Sequence, residues 1–433
     1  MISKVLVASL AVSGALAASS TSSTSASKTS SSATSSAAVP SGCSMDVTAT
    51  SQADLDKIAG CSVFGGDITI EGNLGTAFIN GVKELRGGLK VNNATLLTSL
   101  SAPSLTEIKD DFELSQLTTL STLSFPLLTT IGGAIRWTTL PALGNLQFNA
   151  VVDSVSSILI SDTALESLDG INVDSLDELN INNNKYIESL DMSIKHVNAL
   201  DISFNSKGLE VSFPDLIWAK NITLQSVSSV DFSSLITVND SAGFKNSSFS
   251  SLDFKNVTSI GGTLAINYND ALDEVSFPNL GSIGGGFQIF NNTKLQKING
   301  FNKLKSVGGA IEFDGNFTEA DLPSLNLVKG GVDVESESTQ FNCSSWNKAH
   351  KDGDIQGDKY VCSAPASQTS VLISVTSKAS STSKTSTSDE TAAATSSNTG
   401  AAASSAAKNS ASNYGVEGAV VFGAVVALAA QLF

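Results

Sequence analysis

Apolar residues recur along the middle of this chain with a period much longer than that of a helix or a strand. Aligned on short strand-like starts, the repeats begin at Ile68, Leu89, Phe112, Ile135, Ile158, Leu179, Leu200, Ile222, Ala242, Leu264, Phe287, Ile311 and Val332, 20–24 residues apart and 22 on average. The clearest unit, residues 264–286, places apolar side chains at Leu264, Ile266, Leu272, Val275, Phe277, Leu280 and Ile283. The unit at Phe112 repeats them as Phe112, Leu114, Leu120, Leu123, Phe125, Leu128 and Ile131. Pro278 matches Pro126, and the Gly pair 284–285 matches 132–133; the unit at Ile135 departs, with neither Phe-Pro nor a Gly pair. Repeats of this length mean a solenoid, because no single unit can bury its own apolar set and stacked neighbours can.

Each unit offers a short strand, as in Leu264-x-Ile266 with inward side chains two apart, and two further apolar corners. The remainder is Ser-Phe-Pro-x-Leu, Ile and Gly-Gly, without the 3.6 spacing of a helix. The expected fold is therefore mainly β: a right-handed parallel β-helix or leucine-rich-repeat-like solenoid of about 22 residues per coil, with disulfide-stapled caps at both ends. Asparagine occupies the sixth position of five units, at Asn184, Asn205, Asn269, Asn292 and Asn316. Stacked amides can satisfy backbone groups at a tight corner, while a plain solvent-facing turn also favours Asn. Asn316 belongs to a glycosylation sequon, so the column is expected to face outwards near its C-terminal end.

Solenoid ends need caps. Residues 50–59 read as a short helix with Ser51 as N-cap and Asp54 at the third position. At the far end, the segment between Cys343 and Cys362 encloses Trp346 and Tyr360, both expected to plug the last coil. The four cysteines, Cys43, Cys61, Cys343 and Cys362, flank the repeats. They allow three connectivities, and the neighbouring pairs Cys43–Cys61 and Cys343–Cys362 close short loops. Their spacing is not that of a zinc site and the chain has only 2 His, so no metal and no cofactor is expected.

The ends of the chain assign the compartment. One lysine, an apolar run over 5–16 and Ala15-Leu16-Ala17 form a secretory signal over residues 1–17. Residues 419–433 are 15 almost unbroken apolar residues, short of the about 20 that span a bilayer. A polar spacer, 412–418, and the small triplet Asn409-Ser410-Ala411 precede them. This is the form of a glycosylphosphatidylinositol (GPI) signal over 409–433, with Asn409 as attachment residue and the membrane as partner through the anchor. Residues 18–41 and 363–408 are Ser/Thr-rich; the second reads as an O-glycosylated stalk, and 42–362 is the folded region. Eight sequons fall within it, at Asn93, Asn221, Asn239, Asn246, Asn256, Asn291, Asn316 and Asn342.

Charge and chemistry narrow the function. A net charge of −16 without a basic cluster excludes a nucleic-acid partner. No catalytic residues are expected: two histidines support no Ser-His-Asp set, and the Gly pairs recur as turn residues. The acidic pairs Asp110-Asp111 and Asp177-Glu178 fall at repeat corners. A glycosidase would need two carboxylates across a cleft, and the candidates Asp273, Glu274 and Glu312 sit within the repeat pattern.

The chain resembles the fungal family of GPI-anchored cell-wall organisation proteins, whose folded part is similar to the L domains of insulin- and growth-factor-type receptors. The resemblance rests on Cys61-x-x-x-x-Gly66-Asp67-Ile68-Thr69-Ile70, the Phe-Pro-x-Leu-x-x-Ile-Gly-Gly units, and Phe341-x-Cys343 to Tyr360-Val361-Cys362. It implies a non-enzymatic scaffold needed for wall integrity, at the plasma membrane or passed to the wall, with wall glucan or mannoprotein as candidate partners. Two other readings stand beside it. One is a receptor-like binding module for a glycan or peptide; the other is a glucan-remodelling enzyme.

Overall fold

The computed structural model describes residues 38–365. The expected signal over 1–17, nearly all of both Ser/Thr-rich segments, and the attachment signal with Asn409 lie outside the described residues. The described chain is a parallel β-solenoid of about 13 turns. All of the predicted starts stand in one register, from Ile68↔Leu89 through Ile135↔Ile158 and Ala242↔Leu264 to Ile311↔Val332. The irregular unit at Ile135 keeps its place because Phe148, without its proline, still packs edge-on against Phe125 and Trp137.

Each coil turns through three short strands, shown by Leu264–Asn267, Glu274–Ser276 and Ser282–Ile283. Their inward side chains stack coil on coil. The phenylalanines of the Phe-Pro position form such a column, with Phe254, Phe277 and Phe301 stacked at 4.9 and 5.4 Å. In the middle of the solenoid the third strand of one coil runs straight into the first of the next, giving eight-residue strands at Ser175–Asn182, His196–Ser203 and Trp218–Gln225. These three coils have only two residues, Asp-Glu, Asn-Ala and Lys-Asn, between the inward positions where the coil at Leu264 has three, Gly-Gly-Thr. Without the extra residue the corner cannot bulge, and the strand continues extended; the coil at Ala242, with three residues there, is interrupted although they are Asn-Asp-Ser.

A second feature repeats at the fifth position of the coils from Leu89 to Phe287. Asn93, Gln116, Thr139, Asp162, Asn183, Phe204, Ser226, Asn246, Tyr268 and Asn291 all have φ between 49° and 61°. This left-handed residue turns the chain so that the sixth side chain points inwards. The fold demands it whatever the residue is, although only Asn and Asp adopt it readily.

Both caps carry their disulfides, Cys43–Cys61 and Cys343–Cys362. Helix α1 (Gln52–Asp56) begins after Ser51, whose backbone N–H and hydroxyl both donate to Asp54 at 3.1 and 2.8 Å. Lys57 and Ser51 together hold the Asp54 carboxyl far below the usual carboxylate range. Val47–Ala49 pairs with the first coil and lengthens the ladder at the N-terminal end. At the other end Trp346, on α2 (Ser344–Asp352), plugs the last coil, donating from its indole N–H to the Ala320 carbonyl at 3.2 Å. Tyr360 does not act as a plug. It opens a closing strand, Tyr360–Ser363, that pairs with Val332, and its ring stacks on His350 at 4.2 Å.

Candidate functional site

The asparagine column is a structural device inside the solenoid over most of its length. Asn184, Asn205, Asn269 and Asn292 are buried. In each, the amide oxygen accepts the sixth-position N–H of the preceding coil, and the amide N–H₂ donates to that coil's third-position carbonyl. Thus Asn184 Oδ1 accepts from Thr163 N at 3.1 Å while its Nδ2 donates to Ile160 O at 2.9 Å. Asn269 does the same with Ser247 N and Phe244 O, and Asn292 with Asn269 N and Ile266 O. Between the two runs Val227 breaks the column, and Ser247 resumes it by accepting the Val227 N–H at 3.1 Å. The outward turn expected near the C-terminal end occurs only at Asn316, which is exposed. In that coil the inward side chain is Phe317.

Seven of the sequon asparagines, Asn93, Asn239, Asn246, Asn256, Asn291, Asn316 and Asn342, are exposed, and Asn221 is half-buried. Asn93, Asn246 and Asn291 occupy the left-handed fifth position. Their sequons follow from local stereochemistry. Asn suits that backbone, the next side chain points in, and the hydroxyl two residues on faces the preceding coil, as Thr293 does when it donates to Asp270 O at 3.2 Å. Others are engaged: Asn221 Oδ1 accepts Ser241 N, Asn256 Nδ2 donates to Ser233 O, and Asn342 Oδ1 accepts Ser344 N.

The acidic candidates do not converge. Asp273 and Glu274 are exposed beside an open concavity of about 790 Å³, which Lys294, Lys297 and Glu319 also line. Glu312 lies on the first-strand face, where it accepts from Gln288 at 2.8 Å. The corner acids brace neighbouring coils: Asp111 Oδ1 accepts Ala134 N at 2.8 Å, and Asp177 accepts the Asn198 amide at 2.9 Å. Asp110 is exposed, and Glu178 accepts the Asn180 amide at 3.3 Å. Among the described residues no group of three or more His, Cys, Asp or Glu could hold a metal ion, and no helix is long and apolar enough to cross a membrane.

What the first-strand face offers is a field of amides and hydroxyls. Ser161 donates to Asn182, Asn183 also donates to Asn182, and Asn182 donates to Asn180. Beside them stands Asp201, half-buried, one of whose carboxylate oxygens lacks any partner. Burial raises its pKa, Ser203 partly opposes the shift by hydrogen bonding, and the charge of Glu178 adds to it. A carboxyl with a raised folded pKa ionises first in the unfolded chain, so the native state loses stability as pH rises from the ordinary Asp range through the raised value. Asp201→Asn is therefore expected to melt higher than the wild type at neutral pH. The gap should close as pH falls below the ordinary carboxylate range, in thermal melts across pH of both proteins made without N-glycosylation, because the substitution creates a sequon with Ile202 and Ser203. A constant gap at every pH contradicts this account.

Periodicity alone could not reveal the exposed aromatic residues of the left-handed corner, Phe204 and Tyr268, because the residue types at that position vary. A comparison of fifth positions for bulky residues among the Asn and Asp would have marked them.

Comparisons with known proteins find relatives among fungal cell-wall and cell-surface proteins. The cell wall mannoprotein PST1 of Saccharomyces cerevisiae is 45% identical over 333 residues, 76% of this chain and 74% of that protein. The cell surface GPI-anchored protein ECM33 of Candida albicans is 33% identical over 333 residues, covering 76% and 80%. The protein ecm33 of Aspergillus fumigatus is 35% identical over 321 residues, covering 73% and 79%. No family model matches the chain. No solved structure matches it either.

Proposed function

The chain belongs to the family of fungal cell-wall and GPI-anchored cell-surface proteins, and from that premise we propose that it is a non-enzymatic scaffold of the wall. Residues 1–17 direct it into the secretory pathway, Asn409 receives the anchor, and the 363–408 stalk holds the solenoid away from the membrane, at the outer face of the plasma membrane and in the wall. The exposed sequon asparagines carry N-glycans that coat mainly its C-terminal half.

The observation that carries this reading is the periodicity of the polar surface. The acids singled out as catalytic candidates lie on different faces, and the corner acids hold adjacent coils together. Such a surface suits repeated, extended contact better than chemistry at one point. Deleting the gene is expected to sensitise cells to wall-binding dyes, scored by growth on graded dye plates. Deletion cells that grow like the wild type on every plate would sink the scaffold reading.

A further inference from the structure

Phe204 sits at the left-handed corner with φ of 56° and is 54% exposed. A bulky aromatic there is strained, and Asn would adopt the same backbone with little strain. Tyr268 shares the posture but is held by Phe290 edge-on at 5.5 Å and by Lys245 over its ring at 5.7 Å. Phe204 makes no ring contact among the described residues, and neither does Tyr186, 62% exposed in the adjoining coil. Neither ring has an aromatic or cationic partner among the described residues, and each is more than half exposed.

Their surroundings are polar; Lys185 precedes Tyr186, and Lys207 takes the place of Tyr186 in the next coil. Asn182, Asn183, Ser203, Gln225 and Ser226 occupy the fourth and fifth positions of these coils. No sequon lies between Asn93 and Asn221, so this stretch of the corner is clear of glycan attachment points. A stable protein interface requires a contiguous apolar centre, and two rings among amides do not supply one. The net charge of −16 disfavours an anionic polymer. A sugar chain of equatorially substituted units fits both features, with flat C–H faces for the rings and hydroxyls for the amides.

We propose that the corner around Phe204 and Tyr186 is a binding site for an uncharged β-linked glucan lying along the solenoid axis. The inference rests on the wall-scaffold reading and names the polymer the scaffold grips. α-Mannan is excluded as the preferred ligand because its axial hydroxyl interrupts the apolar face.

The test uses the secreted, glycosylated full-length protein and particulate β-1,3-glucan, with α-mannan and an acidic polysaccharide as comparisons, in a co-sedimentation assay. Wild type is expected to sediment with glucan and not with the other two. Phe204→Gly should lower glucan affinity at least tenfold while leaving the melting temperature close to that of the wild type, since Gly takes this backbone without strain; Asn is avoided because, followed by Asn205 and Ser206, it would create a new sequon. Leu127→Ser, an exposed apolar residue (49%) outside this corner, should bind like the wild type. The site assignment is overturned if wild type ignores glucan, if Phe204→Gly binds undiminished, or if the corner captures only a protein. None of these outcomes touches the scaffold reading, which fails separately if deletion leaves the wall unchanged.

Discussion

Asn269→Ala is expected to destabilise the solenoid by about 3–5 kcal/mol, the combined effect of several buried polar groups losing partners at about 1–3 kcal/mol each. The Asn269 amide accepts the Ser247 N–H at 2.9 Å and donates to the Phe244 carbonyl at 3.0 Å and to Asn292 Oδ1 at 3.1 Å. Alanine leaves the Ser247 N–H and the Phe244 carbonyl without this partner at a buried corner, while Asn292 Oδ1 keeps the backbone N–H of residue 269. Solenoid stability is approximately a sum of coil terms and nearest-neighbour interfaces, so the damage should be local first. Hydrogen exchange should show lost protection at the Ser247 amide and in the coils beginning at Ala242, Leu264 and Phe287, before the N-terminal coils respond. Asn316→Ala, the same substitution at an exposed member of the column, should stay within about 0.5 kcal/mol, the ordinary range for surface changes. Equal effects at the two sites in urea unfolding would mean that the buried amides do not bridge the coils.

The contrast between these two asparagines shows where reading the sequence stops. The register was legible because a one-residue slip would turn every inward apolar residue to the outside, and Ile68 through Val332 fall into place without exception. The disulfides, the N-terminal helix and the Trp346 plug were legible for similar reasons, since few residues can close a solenoid end. Asn292 and Asn316 share a position and a composition, yet one is buried and the other exposed. Their difference comes from a longer strand, Ile311–Gly315, that carries the corner one residue further and lets Phe317 take the inward place. Tyr360 escaped for a related reason: an aromatic beside a cysteine reads as filler, whereas the backbone hydrogen bonds of its strand decide its role. The left-handed fifth position was hidden because it constrains φ and not residue type, so Gln116, Thr139 and Phe204 look unrelated in sequence.

That constraint bears on the candidate site. Where a corner must be left-handed, Asn is the low-strain choice, and the chain uses it at Asn93, Asn183, Asn246 and Asn291. The bulky exceptions then separate by what they contact. Tyr268 is packed by its neighbours, while Phe204 is left open to solvent. Strain without a packing return is a reason to look for a ligand.

The second large effect comes from the opposite corner, where the coils approach most closely. A Cβ added to Gly284 would lie 2.0 Å from the Gly261 carbonyl oxygen and 2.8 Å from its carbon, both backbone atoms of the preceding coil. Gly308 stacks on Gly284 in the same way, at 2.1 Å from its oxygen. Backbone held in a parallel ladder on both sides cannot shift as a side-chain tip could, so the added methyl must prise two coils apart. Parting them stretches the hydrogen bonds from Gly284 N to Ile260 O and from Gly308 N to Ile283 O, both 2.8 Å, and loosens the packing of Ile260, Ile283 and Val307 beneath. Gly284→Ala is accordingly expected to lose at least about 3 kcal/mol, in the range of severe overpacking, and to be poorly secreted. Gly281→Ala provides the comparison three residues away. Its Cβ would meet only the Thr258 oxygen at an ordinary 3.6 Å, so its stability should stay level or rise slightly as the unfolded chain loses freedom. Secretion yield and urea midpoints of the two alanine variants decide the matter: if Gly284→Ala matches Gly281→Ala, the close approach of the coils is not what keeps glycine in this column.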